Sequence, residues 1–274
     1  MINTDKKINE KKIGLFDSGI GGYSVLAELF KTLPSAHYFY VSDDAFAPYG
    51  PKSDDFITER SFIIAQALKE QNVELIVVAC NTATAASIDR LRVKFPDMTF
   101  VGVEPYLNAY YKIPDGLTPA QKKMMVLTTE STGKSERFKR LKERLDPDSQ
   151  IDHYGLVNLA KLIEDFYYSP NDREQFYKSL EEELAFLKPH RYSFAILGCT
   201  HYPLIRKKIE KILNLKTISP DAHIAQRVLA LSGGDEAINQ NLIPDFYNFF
   251  STKNNIWIKK YRASLLGPFK EIKL

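Results

Sequence analysis

The sequence predicts an α/β protein built from two similar domains, whose largely parallel sheets face each other across a central cleft. Short β-rich runs alternate with amphipathic stretches along most of the 274 residues, as expected for strands joined by helical crossovers. The run 75–79 (LIVVA) is apolar throughout, which a strand buried on both faces of a parallel sheet requires. In each half of the chain, one apolar run ends at a cysteine. The halves share this pattern without an exact sequence repeat.

The first series of elements ends at a Pro- and Gly-bearing stretch, 113–119, which is the predicted domain junction. Its strands are predicted at 13–16, 37–42, 75–79 and 98–103. Its helices are predicted at 23–33, 54–70 and 82–95. The glycine-rich loop 17–22 (DSGIGG) separates the first strand from the first helix, and the rigid turn 47–51 (APYGP) precedes the second helix.

The second series of elements follows this junction. Strands are predicted at 123–128 and 192–197, and helices at 133–145, 156–168 and 172–187, with a turn at 146–148. A strand at 216–219 and a helix at 221–231 are expected to bring the chain back to the first half. The predicted domains are therefore 1–105 together with 217–274, and 106–216. Ligands gather beyond the carboxyl ends of strands in such sheets, so the cleft between the domains is the expected site.

The composition is that of a soluble globular protein, with 44% hydrophobic and 26% charged residues. The net charge is only +3, and the basic residues are scattered or paired with acids, so nucleic acid is not predicted as a primary partner. The segment 1–12 is polar and Lys-rich without a following apolar stretch, and no apolar run approaches the ~20 residues of a membrane span. A cytoplasmic location with reduced thiols and no membrane partner is predicted.

The only two cysteines, Cys80 and Cys199, lie in matching contexts, 79–84 (ACNTAT) and 197–203 (LGCTHYP). Each follows an apolar run and precedes hydroxyl or amide side chains, so each is expected where a strand ends and a helix begins. Unpaired N–H groups and the helix dipole at that place favour a thiolate. Two activated thiols that face each other could remove a proton from one face of a carbon and return it on the other face. This is the chemistry of a racemase.

Other interpretations of the cysteines are less favoured. A disulfide between Cys80 and Cys199 is disfavoured by a reducing compartment. A zinc site needs more closely spaced ligands than Cys199 and His201 supply, so no metal is predicted. A buried cysteine is commonly a small hydrophobic residue, but the matched contexts of the pair favour a function.

The residues after each cysteine could hold an anion. Asn81, Thr82 and Thr200 carry O–H and N–H donors that suit a carboxylate, and helix N-termini beside them would bind the same group. His201 is either structural or assists the neighbouring thiol, since imidazole moves protons near neutral pH.

Three further segments have both a structural and a functional interpretation. Asp17 and Ser18 either cap a helix in a tight turn or place a carboxylate near Cys80, where it pairs with a substrate ammonium or takes part in proton transfer. The turn at Pro48, Tyr49 and Gly50 is either a surface turn or a source of backbone N–H groups for a carboxylate. The hydroxyls of Thr129 and Thr132 either cap a helix or bind substrate. The glycine spacing of the loop 17–22 fits neither a P-loop nor a dinucleotide fingerprint.

Together these motifs resemble the glutamate racemase group within the aspartate/glutamate racemase family. The matching segments occur in the family's order: 16–22 (FDSGIGG), 48–50 (PYG), 79–84 (ACNTAT), 101–105 (VGVEP) and 197–203 (LGCTHYP). Weaker similarity runs to 264–267 (SLLG). The resemblance implies a cofactor-independent racemase that interconverts L- and D-glutamate and supplies D-glutamate for peptidoglycan. By analogy Cys80 and Cys199 are its two bases.

The resemblance also implies what surrounds the substrate and how the chain is organised. The residues expected around the substrate by analogy are Asp17, Ser18, Tyr49, Gly50, Asn81, Thr82, Thr200 and His201. The family has two α/β domains, the first of them completed by the returning C-terminal segment. Its members are often dimers, so a homodimer is a possible assembly of this chain.

The sequence departs from the family pattern at several positions. Lys161 stands where the family usually has the glutamate that supports the histidine after the second cysteine, and Glu164, one turn away, is a possible substitute. Ser131 and Glu136 replace residues that are usually small.

A further departure lies in the segment 43–46 (DDAF), which lacks the usual basic residue before the Pro-Tyr-Gly. All these positions belong to the region expected to choose the substrate side chain, so an aspartate or broader amino-acid racemase is the first alternative. A carbon–nitrogen lyase or cis–trans isomerase of the same superfamily would use one cysteine as a nucleophile. A non-catalytic binding protein would need neither thiol.

Overall fold

Two sheets, one of six strands and one of four, form the framework of the protein. The computed structural model describes residues 11–113, 118, 122–187, 192–233 and 244–271. Most of the predicted domain junction at 113–119 lies outside the described residues, as does most of the polar segment 1–12. Within the described part, no helix combines the length and the apolar composition needed to cross a membrane.

The six-stranded sheet has the strand order β10-β9-β2-β1-β3-β4 and is parallel except for the antiparallel pair β9–β10. Its strands are β1 (Lys12–Asp17), β2 (His37–Ser42), β3 (Leu75–Val78), β4 (Thr99–Gly102), β9 (Phe246–Ser251) and β10 (Ile256–Tyr261). The helices that connect its first four strands are α1 (Tyr23–Thr32), α2 (Asp54–Lys69) and α3 (Asn81–Lys94).

The four-stranded sheet has the order β6-β5-β7-β8 and is parallel throughout. Its strands are β5 (Met124–Thr129), β6 (Ile151–Leu156), β7 (Phe194–Gly198) and β8 (Lys216–Ile218). The remaining α-helices are α4 (Glu130–Lys134), α5 (Glu136–Leu145), α6 (Leu159–Tyr168), α7 (Arg173–Leu184), α8 (Arg206–Leu213) and α9 (Asp221–Leu231). Short 3₁₀ helices occupy Leu107–Lys112, Ala185–Leu187, Tyr202–Ile205, Arg262–Ser264 and Gly267–Glu271.

The cores of the two sheets are continuous. Leu15 and Val77 of the larger sheet belong to the same buried apolar cluster as Leu127 and Leu197 of the smaller one. Because successive strand residues point to opposite faces, the alternate residues of β1 and β3 pack in a separate cluster beneath α2 and α3. The strands are therefore buried on both faces, which explains their nearly unbroken apolar composition.

The predicted α/β class with largely parallel sheets is confirmed. The strands β6, β9 and β10 are not among those predicted from the sequence. β6 is a half-exposed edge strand, and β9 and β10 form a hairpin rich in aromatic residues. The predicted helix 133–145 is two helices, because Ser135 is extended and its hydroxyl accepts a hydrogen bond from the N–H of Phe138, which starts a new helix.

The expectation that the strand at 216–219 begins the return to the first half is wrong. This strand, β8, pairs with β7 in the smaller sheet, with Lys216 opposite Phe194, because α8 serves as the crossover between these two parallel neighbours. The return begins with α9, which packs against α1, and is completed by β9 beside β2. The division of the chain into domains stays a prediction.

Candidate active site

A cavity of about 320 Å³ lies where the carboxyl ends of strands from both sheets approach each other. Both cysteines line it. The other residues singled out from the sequence that line it are Ser18, Pro48, Tyr49, Gly50, Asn81, Thr82, Thr129, Thr200 and His201. Asp17 and Thr132 are buried behind these residues rather than in the cavity wall. The strand-end position follows the general rule for open parallel sheets.

Cys80 ends the extended segment after β3 and caps the N-terminus of α3. Its sulfur accepts a hydrogen bond from the N–H of Ala83 (3.5 Å), and its thiol donates to Oγ of Ser18 (3.8 Å). Burial and then the nearby Asp17 carboxylate raise the pKa of Cys80 to about 12. The N–H of Ala83 at the helix N-terminus lowers the pKa of Cys80, as expected, but burial outweighs this effect. One N–H donor does not offset the loss of water around the sulfur.

Cys199 directly follows β7 and is also buried and free of a disulfide. The element after it is the 3₁₀ helix Tyr202–Ile205, and α8 starts only at Arg206, so the expected α-helix N-terminus beside Cys199 is absent. The sulfur lies 3.9 Å from Nδ1 of His201 instead. An imidazolium at this distance stabilises negative charge on the sulfur.

His201 is held between Cys199 and Glu164. Its Nε2 lies 2.6 Å from Oε2 of Glu164, and the same oxygen accepts a hydrogen bond from the N–H of Ile20 (3.0 Å). Burial by itself lowers the pKa of His201, but its hydrogen bonds with Cys199 and Glu164 outweigh burial and raise that pKa well above the ordinary value. This contact confirms the interpretation that Glu164, and not position 161, provides the carboxylate partner of His201.

Asp17 links the ends of two strands from different sheets. Its Oδ1 accepts a hydrogen bond from the N–H of Gly19 (3.0 Å), and its Oδ2 accepts one from the hydroxyl of Thr200 (2.9 Å). The side chain is completely buried. Burial raises the pKa of Asp17, against the opposing pull of the charge on His201. The Asp17 carboxyl does not line the cavity. It holds Thr200 by a hydrogen bond, and its negative charge raises the pKa of Cys80.

Two glycines let the loop after β1 approach the second cysteine segment. A Cβ atom on Gly21 would lie 2.4 Å from Nδ1 of His201 and 2.6 Å from Oγ1 of Thr200. A Cβ atom on Gly19 would lie 2.3 Å from the carboxylate of Glu164. Real Cβ atoms do not approach other atoms this closely, so these positions need glycine because of contact rather than backbone conformation.

A cluster of three threonine hydroxyls bridges the two sheets. Oγ1 of Thr82, at the start of α3, lies 3.2 Å from both Oγ1 of Thr129 and Oγ1 of Thr132. Thr129 also caps α4, since its hydroxyl accepts a hydrogen bond from the N–H of Thr132. Asn81 donates to the carbonyl of Val103 (3.2 Å), while its buried Oδ1 has no partner in the described part of the chain.

Tyr49 is fixed by an ion pair that lies behind the cavity. Its hydroxyl donates to Oδ2 of Asp43 (2.5 Å), and burial together with that carboxylate raises the pKa of Tyr49. Arg60 of α2 grips the same carboxylate with two hydrogen bonds, of 2.7 and 3.0 Å, and stacks over the ring of Phe46.

Several residues that line the cavity belong to no motif of the sequence: Ala160, Asp165, Tyr168, Ser169 and Lys253. Asp44, Ala47, Lys161 and Glu164 also line it and lie at positions that the sequence singles out. Helix α6 supplies Lys161, Glu164, Asp165 and Tyr168 at helical spacing, a pattern that could have identified its cavity-facing side. Among the described residues, no group of three or more His, Cys, Asp or Glu side chains is arranged to hold a metal ion.

Comparisons with known proteins agree with this architecture. The family model described as Asp/Glu/Hydantoin racemase matches residues 17–228. Glutamate racemase 2 of Bacillus subtilis is 37% identical over 205 residues, which are 75% of each chain. The glutamate racemase of Fusobacterium nucleatum is 31% identical over 265 residues, or 96% of each chain.

Solved structures give the same result. Escherichia coli glutamate racemase, in complex with L-glutamate and the activator UDP-MurNAc-Ala, superposes with a TM-score of 0.75 and 29% identity, covering 96% of this chain and 94% of that one. Francisella tularensis glutamate racemase with D-glutamate has a TM-score of 0.69 and 27% identity, covering 97% and 95%.

The largely parallel α/β framework is thus shared with enzymes of the racemase class, and the protein is an isomerase. The chain belongs to the Asp/Glu/Hydantoin racemase family. The resemblance drawn from its motifs is confirmed.

Proposed function

We propose that the protein is a cofactor-independent glutamate racemase in which Cys80 and Cys199 are the two bases. The observation that carries the proposal is that both thiols, one from each sheet, line a single cavity of about 320 Å³. A cavity of this size suits a small metabolite. The four relatives described above are glutamate racemases, and the two solved structures among them contain glutamate.

The polar groups of the cavity fit an amino acid that carries both charges. The N-terminus of α3, the Asn81 amide and the hydroxyls of Thr82 and Thr200 offer donors for the α-carboxylate. For the ammonium, buried acceptors remain unsatisfied at Oδ1 of Asn81 and Oε1 of Glu164 within the described residues. A ligand ammonium would supply the hydrogen bonds that these oxygens lack.

In the proposed proton transfer, one thiol starts as the acid and the other as the base. Because the pKa of Cys80 is raised, Cys80 begins as the protonated acid. Cys199, whose sulfur lies 3.9 Å from Nδ1 of His201, is assigned as the base. Cys199 takes the α-proton, Cys80 delivers its own proton to the opposite face, and the product leaves with the thiol and thiolate exchanged. The reverse reaction runs from that exchanged state.

The intermediate carbanion is stabilised electrostatically. The N–H and O–H donors on the α-carboxylate are fixed before reaction, beside two thiols that are themselves buried. A correctly placed acid or base contributes about 10²–10⁴-fold to the rate, and this fixed environment must supply the rest. Asp17 lies behind Ser18 and Thr200. It fixes the Thr200 hydroxyl by a hydrogen bond and adds to the effect of burial in raising the pKa of Cys80.

The test is α-proton exchange in deuterated water, followed by NMR, with L- and D-glutamate and L- and D-aspartate offered separately. Exchange with inversion of glutamate is the expected result. Exchange of aspartate alone would replace glutamate by aspartate as the substrate. Absence of exchange with all four, in folded protein with reduced thiols, would overturn the proposal.

Single substitutions of the cysteines test the two-base mechanism. We expect C80A and C199A each to lower racemisation by at least about 10²-fold, because one acid or base is lost. Each variant should still exchange the α-proton of one enantiomer, and the two variants should prefer opposite enantiomers. If only one of the two substitutions lowered racemisation, the two-base mechanism would be contradicted.

The cellular role follows from the product. We propose that D-glutamate made in the cytoplasm by this protein supplies peptidoglycan synthesis, with a homodimer as a possible assembly. Expression of the chain should let a bacterium that depends on added D-glutamate grow without it, whereas C80A should not. Sedimentation of the purified protein measures the assembly.

A further inference from the structure

Two lysines lie at the solvent-exposed edge of the active-site cavity. Lys161 of α6 forms an ion pair with Asp165 one turn later. Lys253 lies in the turn between β9 and β10, and its Nζ sits over the ring of Tyr168, 5.4 Å from the centroid. Lys253 makes no ion pair with any residue in the described ranges. Of the two lysines at the cavity edge, Lys253 is therefore the one whose ammonium is not held in an ion pair.

The turn that carries Lys253 is anchored firmly. The buried carboxylate of Asp44 accepts hydrogen bonds from Oγ of Ser251 (2.7 Å), the N–H of Lys253 (3.1 Å) and Oγ1 of Thr252 (3.3 Å). The N–H of Ala45 in turn donates to Oγ1 of Thr252 (3.0 Å). These contacts tie the turn to the loop that leads to Pro48 and Tyr49, so the lysine side chain starts from a fixed backbone position.

We propose that Lys253 is a specificity-determining residue that attracts the side-chain carboxylate of an acidic amino acid to the cavity. This inference rests on the proposed function. An exposed cation acts on a dicarboxylate across water within about 10 Å at moderate ionic strength, and it favours entry of an anion over a neutral analogue. The ring of Tyr168 keeps the ammonium beside the opening.

The test compares the KM for glutamate in wild type and K253M, a substitution that keeps the stem packed on Tyr168 and removes the charge. We expect KM to rise about two- to fivefold at low ionic strength, as for a single exposed ion pair, with kcat unchanged. K253R should restore the wild-type KM. The inhibition constant of glutamine, which has no side-chain charge, should stay the same in K253M.

Salt and a matched control make the test specific to charge. High salt should bring the KM values of wild type and K253M together, because screening removes the attraction. The control is K259M on the neighbouring strand β10, whose Nζ lies over the ring of Phe246 (4.2 Å) and does not line the cavity. K259M should keep the wild-type KM and its salt dependence.

Different failures have different meanings. An unchanged KM in K253M at low salt, or an equal rise in K259M, would overturn the role of Lys253 while glutamate racemisation by wild type still supports the proposed function. A fall in kcat at constant KM would also overturn it, since that would show a positioning role. Wild-type protein inactive on glutamate would overturn the proposed function itself.

Discussion

Nε2 of His201 meets Oε2 of Glu164 at 2.6 Å, although the sequence places the family's usual glutamate position at Lys161. Both side chains are largely buried, at 7% and 13% exposure, so water screens the contact weakly. Glu164 lies one helical turn after Lys161 on α6 and reaches the imidazole from there. The carboxylate partner of His201 thus comes from the turn of α6 after Lys161.

Substitution E164Q should lower the pKa of His201, because the carboxylate that stabilises the imidazolium is replaced by a neutral amide. NMR titration of the His201 ring protons measures this pKa. The matched control is D165N, which removes a carboxylate one residue away that pairs with Lys161 and does not contact His201. D165N should shift the pKa in the same direction by a smaller amount. Equal shifts in the two variants would contradict a specific role for Glu164.

The same contact predicts how stability depends on pH. The folded-state pKa of His201 is raised above the unfolded value of about 6.5, so folding favours proton binding. The stabilisation from protonated His201 is therefore fully present below about pH 6.5 and is lost as pH rises through the raised folded pKa. Urea unfolding of wild type and E164Q along a pH series measures it. The two curves should converge at alkaline pH, and a constant gap would contradict the linkage.

Replacement of Asp17 should make Cys80 more reactive. Burial is the main reason for the raised pKa of Cys80, and the Asp17 charge is the second, so D17N should lower that pKa. At a fixed mildly alkaline pH, alkylation of Cys80 by iodoacetamide, measured by mass spectrometry, should be faster in D17N than in wild type, while racemisation falls. The unfolded protein serves as the control, with a reactivity plateau above a pKa of about 8.5. Slower alkylation in D17N would contradict the prediction.

A methyl group at position 21 should push the loop after β1 away from the second cysteine segment, 197–203. In G21A the added Cβ would overlap His201 and Thr200, so we expect a loss of about 1–3 kcal/mol in unfolding free energy and a large loss of activity. G50A is the control for stability alone, since its Cβ meets no atom within 4 Å. Chemical denaturation measures both variants. If G21A and G50A had the same unfolding free energy, the loop 17–22 would accommodate the methyl group by a small shift and the prediction would be wrong.

Removal of Arg60 should release Tyr49. R60M leaves the fully buried Asp43 without its cation, and we expect a loss of about 3 kcal/mol, at the low end for a broken buried pair because Arg60 is partly exposed. Thermal unfolding measures the loss, and a higher KM for substrate should accompany it because the turn at Tyr49 lines the cavity.

The control for Arg60 is R90M. Its ion pair with Asp55 is exposed on both sides and contributes about 0–1 kcal/mol. If R60M and R90M lost similar stability, Asp43 would not depend on its buried partner.

The cysteine segments could be predicted from the sequence because their signals are local. Apolar runs, the cysteines and the hydroxyl or amide residues after them are adjacent in the chain, and the end of a parallel strand brings such residues to one edge. Arg60 and Lys253 could not be placed in the same way. They reach the site through helix α2 and the β9–β10 turn, and only the strand order of the sheet shows that these elements are neighbours.

The ionisation of the thiols was also beyond local reasoning. The position of Cys80 between a strand and a helix is predicted correctly, but its pKa is decided mainly by burial, which depends on packing from both sheets. Strand β8 is predicted at the correct residues but in the wrong sheet, because its pairing also depends on distant parts of the chain. A three-residue strand carries too little pattern to specify its neighbour, and the crossover through α8 decided it.

The position of β9 beside β2 has a consequence for biosynthesis. A ribosome completes β1 to β4 and both thiols long before it reaches β9, so β2 remains the open edge of a four-stranded sheet during most of synthesis. An open edge is a template for wrong pairing between nascent chains. When the last hairpin docks, it covers that edge and sets Lys253 beside Tyr168. Protection from aggregation and completion of the cavity edge therefore come in one late step.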